Sequence, residues 1–161
     1  MGSGESVSCD ISLNTTLTHE QRRRFQDPVA IRKLLAEAKT IAIYGLSSNT
    51  QKASYFVANY LQQEGYRIIP INPRGGEILG ETVYTDLPAA ADALSEPIDI
   101  VDIFRPPKEI PAVVDQAIAA GVKTVWMQLK LVDIQAAEKA VAAGLQVLAD
   151  RCVKIEHGRY A

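Results

Sequence analysis

Thr40 to Thr50 reads T-I-A-I-Y-G-L-S-S-N-T, an apolar run that breaks at Gly45 into small polar residues, and a helix-like stretch, Ser54 to Gln63, follows it. A strand, a turn and a helix in that order make an anion-binding layout. The glycine lets the backbone turn sharply, and the helix then directs its free N–H groups and positive dipole end at whatever sits above the turn. A dinucleotide fingerprint would read G-x-G-x-x-G, whereas its three glycine positions here hold Gly45, Ser47 and Thr50. The turn therefore suits a phosphate-bearing ligand that is held differently from NAD. The alternative is an ordinary strand-to-helix turn of an α/β domain.

The same alternation continues on both sides of this unit. Asp27 caps and Pro28 opens a short leading helix whose Val29, Ile31, Leu34, Leu35 and Ala38 fall largely on one face. Tyr66 to Ile71, Ile98 to Phe104, Lys123 to Leu129 and Leu145 to Ala149 read as further strands. Between them lie helices at Asp86 onward, at Lys108 to Ala120 with Pro111 in its first turn and Gly121 closing it, and at Asp133 to Ala143. The strands are mostly continuously apolar, as expected where helices cover both faces of a parallel sheet. The pattern predicts an α/β fold, Rossmann-like and doubly wound, with a mostly parallel sheet of about five strands. Residues 1–26, polar and carrying Arg22-Arg23-Arg24, read as an N-terminal arm, and 27–161 as a single domain.

Ligands on such sheets sit at the carboxyl ends of the strands, near the reversal of strand order. The first strand delivers Gly45 to Lys52 there, the second Asn72-Pro73-Arg74, the third long strand Phe104-Arg105-Pro106, and the fourth Met127 to Lys130. Lys52, Arg74 and Arg105 thus converge on one rim, and these turns contain no acidic residue. An NAD site would want Asp or Glu at the end of the second strand to hold the ribose hydroxyls, where this chain has Asn72. Each cation also has a plainer role, Lys52 and Arg74 as solvated turn residues and Arg105 as a partner of Asp102 or Glu109. Phe104, Trp126 and Met127 suit packed core.

With 17 basic and 19 acidic residues among 161, a formal charge of −2 gives no global reason to expect nucleic acid or an anionic membrane surface. No apolar run approaches a membrane span, and Met1 to Asp10 lacks the pattern of a signal peptide. Cys9 and Cys152 form neither a disulfide framework nor a zinc signature, so a reduced cytoplasmic setting is expected. Cys152, Glu156 and His157 suggest a dyad or metal site, but five residues of spacing near a terminus supplies neither a nearby base nor four ligands. A structural lock at the C-terminus is the reading adopted. No catalytic residue and no metal ligand is assigned.

The runs G-L-S-S-N, Q-K-A-S-Y, G-Y-R-I-I-P-I-N-P-R, E-I-L-G-E, D-I-V-D-I-F-R-P-P, W-M-Q-L and D-R-C-V-K-I-E-H resemble the small bacterial coenzyme A-binding proteins, which are similar to the N-terminal domain of the succinyl-CoA synthetase alpha subunit. The resemblance runs from about Asp27 to His157. It implies a Rossmann-like fold holding the ADP part of coenzyme A. The phosphates would lie over Gly45, Ser47, Ser48, Asn49 and Lys52. Asn72, Pro73 and Arg74 would flank the nucleotide, Phe104, Arg105 and Pro106 would wall it, and Gln128 would stand at the end of the fourth strand. Where the family commonly has glycine after W-x-Q-L, this chain has Lys130.

Three function classes follow. The first is a stand-alone, non-catalytic binder of coenzyme A or an acyl-CoA, a small-molecule ligand with CoA preferred over NAD. The second is an enzyme, either a subunit or relic of an acyl-CoA ligase or a nicotinamide-dependent oxidoreductase. A ligase like succinyl-CoA synthetase needs a phosphohistidine domain and a nucleotide-binding partner subunit, and the oxidoreductase needs the glycine pattern and ribose acid missing here. The third is a regulatory protein for which CoA is a sensed ligand.

Overall fold

The computed structural model describes residues 17–160. Five parallel strands form the central sheet: β1 (Thr40–Tyr44), β2 (Arg67–Ile71), β5 (Ile100–Ile103), β6 (Thr124–Met127) and β7 (Gln146–Ala149). Their spatial order is β2-β1-β5-β6-β7. A two-stranded ribbon of β3 (Glu77–Ile78) and β4 (Glu81–Thr82) leaves β2 and brings the chain back at Tyr84. There Asn72 N–H donates to Tyr84 C=O at 2.9 Å and Tyr84 N–H to Pro70 C=O at 3.0 Å. That single bridge stands where a doubly wound nucleotide fold carries its third strand. Strand order reverses between β1 and β5, whose carboxyl ends are Tyr44 and Ile103.

Both faces of the sheet are buried. On one face Ala42, Ile69, Val101, Val125 and Val147 pack under α1 (His19–Phe25), α4 (Leu87–Ala93), α5 (Ile110–Ala120) and α6 (Ile134–Ala142). On the other, Ile41, Ile43, Ile68, Ile100, Trp126 and Leu148 pack under α2 (Pro28–Glu37), α3 (Ala53–Gln63) and α7 (Val153–Tyr160). Helix starts follow their caps: Asp27, Asp86 and Asp133 each accept a backbone N–H of the first turn. Pro28 and Pro111 lie in first turns, where no helical donor is lost.

The structure corrects the sequence reading at both ends. The described part of the 1–26 arm is ordered helix: Thr18 and Gln21 close a capping box on α1, and Leu17 and Phe25 are buried. Arg24 is bidentate to Glu138 on α6, and the Gln26 amide donates to Ala149 C=O on the edge strand. Arg24 therefore ties α1 to the domain, and Arg22 Nη1 donates to Leu17 C=O at 2.8 Å. Residues 1–16, including Cys9, lie outside the described residues. At the other end, α7 is an element absent from the sequence reading. His157 Nδ1 and Tyr60 Oη share a hydrogen bond of 2.8 Å, and Trp126 Nε1 donates to Arg151 C=O at 2.7 Å. Cys152, Glu156 and His157 thus belong to the packing of α7 on α3 and the sheet.

Candidate coenzyme A cleft

A cleft of about 840 Å³ opens at the carboxyl ends of β1, β2 and β5. Gly45 forms its floor. Its φ is +92°, its N–H donates to Ile71 C=O at 2.9 Å, and a Cβ there would stand 2.8 Å from Phe104 C=O. The turn beyond is braced internally: Ser54 Oγ accepts from Ser47 N–H, Ser47 Oγ from Asn49 N–H, and Asn49 Oδ1 from Gln51 N–H. Among the described residues no side chain caps the start of α3. The free N–H groups of its first turn therefore meet the cleft at Ala53 and Ser54, with Lys52 beside them.

Of the residues named from the sequence, Gly45, Ser47, Ser48, Lys52, Asn72, Pro73, Arg74, Phe104 and Arg105 line this cleft. Asn49, Pro106 and Gln128 do not. Asn49 shapes the turn, and Pro106 precedes a tight turn of Pro107–Glu109. Gln128 is buried, and its Oε1 accepts Val153 N–H, capping α7 from the sheet. Asn72 lines the cleft and also joins its two sides, since Nδ2 donates to Leu46 C=O and Oδ1 accepts Arg74 N–H.

The turns named from the sequence carry no acid, but neighbouring segments bring two to the cleft. Glu77 and Glu109 line the cleft alongside the three cations, and Tyr44, Gly75, Gly76, Ile78 and Thr85 complete its walls. Arg105 pairs with Glu109 in a bidentate contact, both bonds being 2.9 Å, and not with Asp102. This hydrogen bonding holds Glu109 below the usual carboxylate range and Arg105 above its ordinary value. Asp102 is wholly buried, neither oxygen is partnered among the described residues, and burial holds its carboxyl well above the usual range.

Lys130 also has its account. It takes φ +63°, its N–H donates to Asp150 Oδ1 at 2.8 Å, and its side chain is exposed and outside the cleft. A left-handed position is where glycine is cheapest, so the backbone explains the residue this family commonly has there. Lys130→Gly is expected to raise stability by about 0.5 kcal/mol, the relief of left-handed strain exceeding the entropy cost. Urea denaturation checks the stability, and isothermal titration of CoA should show no change in affinity.

Parallel sheet, topological reversal and a cleft at the strand ends together define a Rossmann-like α/β domain. Residues 39–158 match the family described as CoA binding domain. This chain belongs to that family. It is 33% identical over 127 residues to the uncharacterized protein YneT of Bacillus subtilis (strain 168), covering 79% of this chain and 91% of that one. A solved structure from Thermus thermophilus superposes with a TM-score of 0.77 at 34% identity, covering 84% of this chain and 99% of that chain. The dinucleotide-forming acetyl-coenzyme A synthetase 1 of Ca. Korarchaeum cryptofilum shares the fold, with a TM-score of 0.59 at 22% identity over 68% of this chain and 25% of the synthetase. Among the described residues no helix is long and apolar enough to cross a membrane.

Proposed function

We propose that the chain is a stand-alone coenzyme A or acyl-CoA binding protein of the cytoplasm that catalyses no reaction itself. The observation that carries this is the convergence, in a CoA-binding-family chain, of an uncapped helix start with Lys52 and Arg74, which make no ion pair among the described residues. The ADP part of the ligand lies in the cleft, its phosphates against the Ser47–Ser48 turn, Lys52 and the N–H groups of α3. Arg74 meets the nucleotide from the opposite wall, with Pro73 and Phe104 as apolar contacts.

Charge-assisted contacts dominate such a site and weaken with salt. Lys52→Ala and Arg74→Ala are each expected to weaken CoA binding roughly tenfold or more, by the cost of losing a hydrogen bond to a charged group. Isothermal titration reads this directly, and unchanged affinity in both variants would remove the assignment.

A second reading, subunit or relic of an acyl-CoA ligase, draws on the likeness to the acetyl-coenzyme A synthetase, of which this chain spans 25%. Incubation with CoA, a carboxylic acid, ATP and the remaining domains of such a synthetase supplied as a separate protein, followed by mass spectrometry, separates the two. Acyl-CoA formed in the assay supports the ligase reading, and CoA recovered unchanged supports the binder.

A further inference from the structure

In a doubly wound sheet the pyrophosphate lies at the turn after the first strand, and the nucleoside extends over the carboxyl end of the second, where an acid takes the ribose hydroxyls. At the end of β2 this chain has Asn72, whose side chain is committed to the loop: Nδ2 donates to Leu46 C=O and Oδ1 accepts Arg74 N–H. An acid reaches the same wall by another route. Glu77, the first residue of β3, lines the cleft beside Arg74 and Ile78. Gly75 and Gly76, at φ +67° and +91°, turn the chain back after β2 to bring it there.

The ribbon that carries Glu77 is held from several sides. Glu77 pairs with Thr82 of β4, Val83 N–H donates to Gly76 C=O at 2.9 Å, and Gln62 Nε2 of α3 donates to Leu79 C=O at 3.0 Å. Of the two acids that line the cleft, Glu109 is engaged by Arg105, whereas Glu77 makes no ion pair among the described residues. An ionised carboxylate accepts hydrogen bonds and donates none, so a ligand meets Glu77 favourably only through a donor. On the nucleoside side of an adenosine diphosphate group the ribose hydroxyls are such donors. In coenzyme A the 2′-hydroxyl stays free, and the neighbouring 3′-oxygen carries a phosphate.

We infer that Glu77 is the ribose acceptor of this cleft: its carboxylate accepts the adenosine 2′-hydroxyl, and its charge weighs against a phosphate on the neighbouring 3′-oxygen. Glu77 thereby determines specificity, selecting ribose over deoxyribose and shifting the balance between CoA and dephospho-CoA toward the latter. The inference rests on the coenzyme A reading for the ligand and on the strand topology for the position of the ribose.

Isothermal titration with two pairs of ligands tests it. ADP against 2′-deoxy-ADP reads the hydrogen bond: the wild type is expected to prefer ADP about tenfold, the scale of a lost hydrogen bond to a charged group, and Glu77→Ala to bind the two alike. CoA against dephospho-CoA reads the charge. Glu77→Gln keeps an acceptor but removes the charge, and should move the ratio of affinities about threefold to tenfold toward CoA, less so at high salt. Both substitutions leave the backbone bonds of the ribbon in place. A hydroxyl preference that survives in Glu77→Ala, or a CoA to dephospho-CoA ratio that Glu77→Gln leaves unchanged, overturns the inference, while wild-type affinity for CoA keeps the coenzyme A reading. If ADP binds with a hydroxyl preference that depends on Glu77 but CoA does not bind the wild type, the coenzyme A reading falls and the ribose contact stands.

Discussion

Asp102→Val should make the protein more stable at pH 7 by on the order of 2–4 kcal/mol, since it removes a buried carboxyl that has no partner. Asp102 sits in the central strand β5, in register with Ile43 of β1 and Trp126 of β6, and none of its surface is exposed. Among the described residues neither oxygen has a hydrogen-bond partner. Valine is similar in volume and favoured in strands, so the site keeps its packing while the desolvation cost disappears. The pH dependence has a definite sign. Burial holds the folded-state carboxyl well above its ordinary value, so the folded protein keeps a proton that the unfolded chain releases. Stability from this group is full below about pH 4, the range of an unfolded aspartate, and is lost as pH rises toward the folded value. The gap between Asp102→Val and wild type should therefore widen from pH 4 to pH 7, by up to about 1.4 kcal/mol per pH unit. Urea midpoints at the two pH values measure it. Asp102→Asn is the control, because it removes the titration but leaves a buried polar group, and its gain should be smaller. A gap that stays constant with pH would mean that Asp102 is ionised in the fold.

Asp102 also marks a limit of reading the sequence. Its strand was legible because D-I-V-D-I-F is apolar enough to be buried on both faces, yet nothing in that run says which aspartate is exposed. Asp99 accepts N–H from Lys39 and Thr40 at the amino ends of β1 and β5, while Asp102, three residues on, has no partner among the described residues. The strands, the helix caps at Asp27 and Asp133 and the turn at Gly45 were legible because each depends on neighbours in the chain. Helix α1 was hidden by its polarity. It buries Phe25 and holds on through Arg24 to Glu138, contacts that only the folded chain brings together. The Thr18–Gln21 capping box was a local signal for it that went unread. At the site, Lys52, Arg74 and Arg105 could be placed by their positions at strand ends. Glu77 could not, since the β3–β4 ribbon alone decides that the loop after β2 folds back over the cleft. Gln128 was misplaced for the same reason: it follows a strand end, but it faces a helix the sequence pattern had not revealed.

Gly45→Ala is expected to cost about 2–4 kcal/mol, combining left-handed strain with a steric clash. At this chain length that corresponds to a fall in Tm of roughly 5–15 °C. The two contributions separate at other glycines. Gly121 closes α5 at φ +72° with nothing within 4 Å of an added Cβ, so Gly121→Ala should cost only the conformational part, about 1 kcal/mol. At Gly45 the φ is +92° and the Cβ would also meet Arg105 Cδ at 2.7 Å and Phe104 C=O at 2.8 Å. The arginine stem can move; the carbonyl cannot without pulling β5 from β1, because Phe104 N–H is bonded to Tyr44 C=O at 2.9 Å. The substitution therefore acts on the point where strand order reverses and on the floor of the cleft together. CoA affinity should fall in Gly45→Ala well below the unfolding temperature and stay unchanged in Gly121→Ala, which lies outside the cleft. Equal losses of stability at the two glycines would show that the approach of Phe104 to Gly45 carries no cost. Full CoA affinity in a folded Gly45→Ala protein would show that the ligand does not rest on this turn.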